Sequence, residues 1–186
     1  AEDIDRLVSQ LFLYSKLDLE GVPMEMRPVR LDAFLAGFVE ESAPDSRTRG
    51  LELTAERLAP VTVSADPEQL RRVLSNILEN SIKYKNKETG RLRITLEESG
   101  RMTLADDGPG VPDEALPKMF DVFYRSDPSR KNPAGGSGLG LAIAAKAVQG
   151  MGGTIRACSV PNGGLEIEIT LRKEEACDAE DPDHRG

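Results

Sequence analysis

The chain has 186 residues, 39% of them apolar and 30% charged, with a formal net charge of −8. That length suffices for one domain with a proper core and an appended helix. The acidic balance and the lack of tryptophan argue against a surface for nucleic acid, which needs basic faces and stacking aromatics. No apolar run approaches the roughly 18 residues that a membrane span requires.

The amino end, AEDIDRLV, is acidic and amphipathic and does not read as a signal peptide. In residues 3–19, Ile4, Leu7, Val8, Leu11, Phe12 and Leu17 fall near helical spacing and predict a helix with an apolar stripe, stopped at Gly21 with Pro23 behind it. After an extended segment, VRLDAFLAGFVEES reads as a second helix. Leu51–Arg57 and Val61–Ala65 alternate as strands on either side of a turn at Ala59-Pro60. Asp66-Pro67-Glu68 is a helix start, a capping carboxylate followed by proline at the first helical position, and that helix runs to about Tyr84. Arg91–Glu97 and Met102–Ala105 predict a hairpin around Ser99-Gly100, followed by the loop DDGPGVP. Residues 113–137 are irregular apart from a short helical piece near Ala115–Phe120. Leu139–Gln149 is a helix opened by glycines and stopped by Gly150, and Thr154–Ser159 with Leu165–Leu171 closes the fold as a hairpin around PNGG. The tail from Lys173 is polar and reads as disordered. Cys158 and Cys177 lie in unrelated contexts and are expected to be free thiols of a reducing compartment, and the lone His184 to be solvated. Interleaved helices with a preponderance of hairpins predict a mixed sheet with helices on one face.

Three segments stand out chemically. GGSGLGL, residues 135–141, precedes a helix. Glycines there let a backbone approach an anion at the helix amino terminus, which makes a phosphate cradle; a flexible hinge is the alternative. No Lys-Ser or Lys-Thr follows, so it is not a Walker loop. The second segment, Asp106-Asp107-Gly108-Pro109-Gly110, combines tight backbone geometry with a carboxylate at a strand end. That carboxylate is a good acceptor for an exocyclic amine, and an ordinary turn is the competing reading. In the third, LRRVLSNILENSIKYK, the residues Leu70, Val73, Leu74, Ile77 and Leu78 make one apolar face at roughly 100° per residue. Asn76, Asn80, Lys83 and Tyr84 share a neighbouring sector. Asparagine is a mediocre helix former, so two of them one turn apart suit either a magnesium–phosphate site or a solvated polar edge.

Taken together and in this order, NILENSIKY, DDGPGVP, MFDVFYRSD and GGSGLGLAIAAKAVQGMGG resemble the catalytic ATP-binding domain of sensor histidine kinases, a family grouped with gyrase, heat-shock chaperone and mismatch-repair ATPases. The resemblance covers residues 66–171. It implies an α+β fold, a two-layer α/β sandwich of the Bergerat type with a mixed sheet and three main helices, preceded by an amino-terminal helix. It also implies ATP and Mg²⁺ as ligands. Asn80 would hold the metal against the phosphates. Asn76 and Lys83 would line the phosphate side, and Arg125 would reach the terminal phosphates. Tyr84 would pack near the adenine, Asp106 would accept from its amine, and Gly108 and Gly110 would let the base approach. Gly136, Gly138, Leu139 and Gly140 would form the lid hinge and phosphate cradle. Asp107 departs from the family, which most often has asparagine there, and would add negative charge near the nucleotide.

No match to the family's histidine box is present, and residues 1–22 resemble the second helix of the dimerisation hairpin that carries it. Residues 23–172 would then be the catalytic domain and 173–186 a polar tail. By the same resemblance the partners are an acceptor-histidine hairpin, a response-regulator receiver domain and, in the parent protein, a second copy. The domain would face the cytoplasm, with the parent anchored in the bacterial inner or plasma membrane. A hydrolase of the wider group would place a glutamate one turn before Asn80, where this chain has the amide Asn76; Glu79 points elsewhere on the helix. A nucleotide-binding or interaction module without catalysis is the third reading.

Overall fold

The computed structural model describes residues 8–12, 14–15, 23–124, 138–160 and 163–174. Among them are seven strands, β1 (Arg27–Arg30), β2 (Leu51–Leu58), β3 (Thr62–Ala65), β4 (Gly90–Leu96), β5 (Arg101–Asp106), β6 (Thr154–Ser159) and β7 (Leu165–Thr170). Three helices join them, α1 (Leu31–Thr48), α2 (Pro67–Tyr84) and α3 (Gly140–Gly150), together with a 3₁₀ turn at Leu116–Lys118. Residues 8–12 and 14–15 are also helical.

The main sheet has the order β2-β4-β5-β7-β6. Only β2 and β4 pair in parallel, with Leu53 opposite Leu92. They are linked through β3 and α2, and a parallel pair requires such a crossover. The other pairings are antiparallel: β4–β5 and β6–β7 are hairpins, and β5–β7 joins them across the sheet. Alternation places Leu92, Ile94, Leu96, Met102, Leu104, Ile167 and Ile169 on one face, all buried. That face packs in one core with Leu35 and Phe38 of α1, Leu70, Val73, Leu74 and Ile77 of α2, and Ala144, Ala147 and Val148 of α3. The opposite face carries charge: Arg91 pairs with Glu52 at 3.2 Å, Arg101 lies 3.6 Å from Glu168, and Arg156 also reaches Glu168.

This is the expected α+β two-layer architecture, with three differences from the sequence reading. The strand β3 does not turn back onto β2; it pairs antiparallel with β1, a strand read only as extended. Lys173 and Glu174 are not a free tail: Ser64 N donates to Arg172 O at 2.9 Å and Glu174 N to Thr62 O at 3.0 Å, so residues 172–174 line the other edge of β3. The helix α1 runs past Ser42 and through Pro44 to Thr48, where Ser46, fully buried, bonds its hydroxyl to Ser42 O at 2.7 Å. Alternation identifies a strand but not its partner, and pairing across tens of residues leaves no local mark.

The predicted start of α2 is present in full. Asp66 Oδ1 accepts from Glu68 N at 2.9 Å and Gln69 N at 3.1 Å, and Oδ2 accepts from Glu25 N at 2.9 Å. Asp66 is only 5% exposed, and its loss leaves unpaired the buried Gln69 N and the part-buried N–H groups of Glu68 and Glu25, from two segments. Asp66→Ala should lower stability by about 1–3 kcal/mol, and Asp66→Asn by less. Urea denaturation followed by circular dichroism checks this.

Candidate functional site

The apolar face of α2 is seated on the sheet, and this decides where its polar edge goes. Leu70, Val73, Leu74, Ile77 and Leu78 are buried, as is Ser81, which bonds Ile77 O. Asn76, Asn80 and Lys83 are half-buried, while Tyr84 is 42% exposed with the Lys83 ammonium 5.2 Å from its ring centre.

Asn76 lies against the beginning of α3. Its Oδ1 is 3.7 Å from where a Cβ on Gly140 would stand. Its Nδ2 is buried and has no hydrogen-bond partner. An orphaned buried donor costs about 1–3 kcal/mol, and this one sits beside a helix that opens at Leu139 with no side-chain cap. An amide donor next to the positive end of a helix suits an anion. Leu139 has a fully buried side chain, so what it can offer a ligand is backbone. Gly138, at φ +69°, has no room for a Cβ, which would meet Phe123 Cα at 2.9 Å and Tyr124 O at 3.0 Å. Phe123 N in turn donates to Gly138 O at 3.2 Å. The phenylalanine segment and the glycine run therefore approach backbone to backbone. Arg125 and Gly136 lie outside the described residues, as do Cys177 and His184; Cys158 is a free thiol.

At the other end of α2 stands Asp106, the last residue of β5. Its Oδ1 accepts from Gly108 N at 2.9 Å and Leu165 N at 3.1 Å, and Ser81 Oγ lies 3.4 Å from Oδ2. Burial pushes this carboxyl above the ordinary aspartate value, against the pull of those donors, and the neighbouring Asp107 adds to the rise. A raised folded-state value means that folding favours the protonated form. That contribution is complete below the ordinary carboxylate range and is lost as pH rises through the raised value. Gly108 leaves room for this arrangement: a Cβ there would come within 3.0 Å of Asp106 Oδ1.

Asp107 has partners of its own. Its Oδ1 accepts from Arg91 N at 2.8 Å and its Oδ2 lies 3.1 Å from Lys87 Nζ. Burial opposes its charge, but these donors more than offset that and hold it below the usual range. The extra negative charge is therefore answered locally by Lys87. Glu79 is also engaged, by Arg49 at 2.5 and 2.8 Å. Ser81 and Leu165 were not singled out in the sequence. A serine on the otherwise apolar face of α2 was the available sign for the first, while a backbone N–H carries no sign at all.

Among the described residues no cluster of three or more His, Cys, Asp or Glu could hold a metal. A cation bound here would rest on an amide oxygen such as that of Asn80 and on ligand phosphates, which is the habit of magnesium. The polar groups thus divide into the Asp106 carboxylate at the end of β5 and the unpartnered Asn76 amide beside the start of α3, with the half-buried Asn80 amide between them on α2. No described helix is long and apolar enough to cross a membrane.

Residues 65–175 match the family described as histidine kinase-, DNA gyrase B-, and HSP90-like ATPase. The chain is 36% identical over 175 residues to the signal transduction histidine-protein kinase BaeS of Escherichia coli (strain K12), covering 90% of this chain and 36% of that protein. It is 32% identical over 177 residues to the sensor histidine kinase WalK of Bacillus subtilis (strain 168), covering 91% and 28%. Among solved structures, full-length ShkA in complex with AMPPNP superposes with a TM-score of 0.76 at 25% identity, over 93% of this chain and 36% of that one. The mycobacterial sensor histidine kinase MprB gives 0.67 at 27% identity, over 80% of this chain and 99% of that one. The chain spans 20–40% of the length of the curated relatives it matches. The matched residues are those that build α2, both glycine segments and most of the sheet, and the chain belongs to the histidine kinase-, DNA gyrase B-, and HSP90-like ATPase family.

Proposed function

We propose that this chain binds ATP with magnesium and is the catalytic part of a two-component sensor histidine kinase, delivering the γ-phosphoryl group to a histidine supplied from outside these residues. The observation that carries the reading is the buried, unpartnered Nδ2 of Asn76 beside the start of α3. A phosphate oxygen there would satisfy both the amide and the helix end. Asp106 Oδ2 would accept from the adenine amine, with Tyr84 beside the base and Gly108 and Gly110 giving it room. Asn80 would hold the metal, and a bound magnesium ion supplies neutralisation of phosphate charge. Lys83 and Arg125 would serve the phosphates, and Gly136, Gly138, Leu139 and Gly140 the cradle and hinge.

The transfer breaks the bond between the γ-phosphorus and its bridging oxygen, forms a phosphorus–nitrogen bond to imidazole and releases ADP. The imidazole proton goes to a base near the acceptor. The chain's own part is positioning and charge stabilisation. The engagement of Glu79 by Arg49 favours this reading over hydrolysis, since it occupies the acidic side chain adjacent to Asn80. In this reading residues 1–22 belong to the acceptor hairpin of a dimeric parent anchored in the bacterial inner or plasma membrane. Residues 23–174 are the cytoplasmic catalytic domain, residues 175–186 follow it, and a response-regulator receiver domain takes the phosphoryl group onward.

Isothermal titration with ATP should show binding that weakens at least about tenfold without Mg²⁺ or in Asn80→Ala, an effect of the size of one charge-assisted contact. With a separate acceptor hairpin added, phosphate should form on its histidine; binding without transfer would favour a nucleotide-binding module. A second expectation concerns pH. Because the Asp106 carboxyl is raised and its ionised form is the acceptor, ATP affinity should fall on acidification at a higher pH than an ordinary aspartate would give. The ratio of wild-type to Asp106→Asn affinity cancels the titration of the ligand itself and should decline towards low pH.

A further inference from the structure

The loop that follows Asp106 is gripped along its length by the end of the β6–β7 hairpin. Leu165 N donates to Asp106 Oδ1 at 3.1 Å. Leu165 stands one register step beyond the last β5–β7 pair, Ala105 opposite Glu166, so the side chain of Asp106 takes a donor that the ladder leaves over. Gly164, at φ +107°, lies so close that a Cβ on it would collide with the Asp106 carbonyl oxygen. A Cβ on Gly163, at φ +99°, would come within 3.3 Å of Gly108 O, and one on Gly110 within 3.1 Å of Gly164 O. Further along, Ser159 Oγ bonds Asp113 Oδ1 at 2.9 Å. Every one of these approaches uses backbone or a short side chain, so the relative position of hairpin and loop has little slack.

We infer that Gly164 and the Leu165 N–H are positioning residues that orient the Asp106 carboxylate and thereby set the selectivity of the site for purines bearing an exocyclic amine. The inference rests on the reading of Asp106 as the acceptor for the base. Two N–H donors on Oδ1, from Gly108 and Leu165, fix the rotation of the carboxylate. Oδ2 keeps only the 3.4 Å approach of Ser81 Oγ among the described residues and is the oxygen left to meet an amine. A purine with a carbonyl in place of that amine would bring oxygen against oxygen, and the charge that rewards the first would repel the second.

The test compares ATP with inosine triphosphate, which carries the carbonyl, by titration of the wild-type chain and of Gly164→Ala, with thermal melts to verify folding. The wild-type chain should bind ATP at least about tenfold more tightly than inosine triphosphate. In Gly164→Ala that ratio should shrink about threefold or more, because the carboxylate loses its orientation. A folded Gly164→Ala that loses affinity for both nucleotides equally, with the ratio intact, overturns the inference. A wild-type chain that does not distinguish the two overturns the base-acceptor reading, and the inference with it. Should Gly164→Ala not fold, the wild-type chain alone decides by NMR. The amide protons of Gly108 and Leu165 should shift with pH through one common midpoint, and neither should do so in Asp106→Asn. A Leu165 amide that ignores this titration refutes the positioning role.

Discussion

Everything at the site depends on the rotational setting of α2. Leu70, Val73, Leu74 and Ile77 are at most 2% exposed, and burying each such side chain contributes about 1.5–3 kcal/mol. Side chains advance by roughly 100° per residue, so seating that stripe on the sheet leaves no choice about Asn76 and Asn80, which occupy the adjoining edge. Turning the helix by one residue would bury a second amide without a partner and expose leucine to water. The core therefore does more than stabilise: it aims the polar edge of α2 between α3 and the end of β5.

That edge is completed by backbone. Gly108, Gly110, Gly138 and Gly164 each stand where a Cβ would press on another main chain or on Asp106 itself. Three of them have positive φ, a region that glycine occupies without strain. The site is thus formed by short loops brought close to one another. The charges around it are paired locally, Lys87 with Asp107 and Arg49 with Glu79.

Much of this was legible in the amino-acid sequence, for identifiable reasons. Asp66-Pro67 announces α2 because capping is local chemistry between residues two or three apart, and the Asn76/Asn80 stripe follows from helical period alone. The β4–β5 and β6–β7 hairpins were legible through turns at Ser99-Gly100 and PNGG. What escaped was long-range. The pairing of β3 with β1 instead of β2, and of residues 172–174 with β3, depends on segments brought together only by the finished core. The same holds for the attachment of Leu165 N to Asp106, a contact spanning 59 positions made by a group present in nearly every residue. The Lys87 that pairs with Asp107 escaped for the same reason, since it lies 20 positions away.

The small sheet has a mechanical consequence. With β1 on one side of β3 and residues 172–174 on the other, both antiparallel to it, β1 and residues 172–174 run in the same direction. The chain enters at Arg27, opposite Ala65, and leaves beyond Lys173, opposite Val63. Tension applied at these two ends pulls the outer strands past β3 in opposite senses, loading their hydrogen bonds together along the strand axis instead of peeling them apart in succession. A domain tied in this way can bear a twist or pull from what adjoins it while the geometry around Asn76 and Asp106 stays intact.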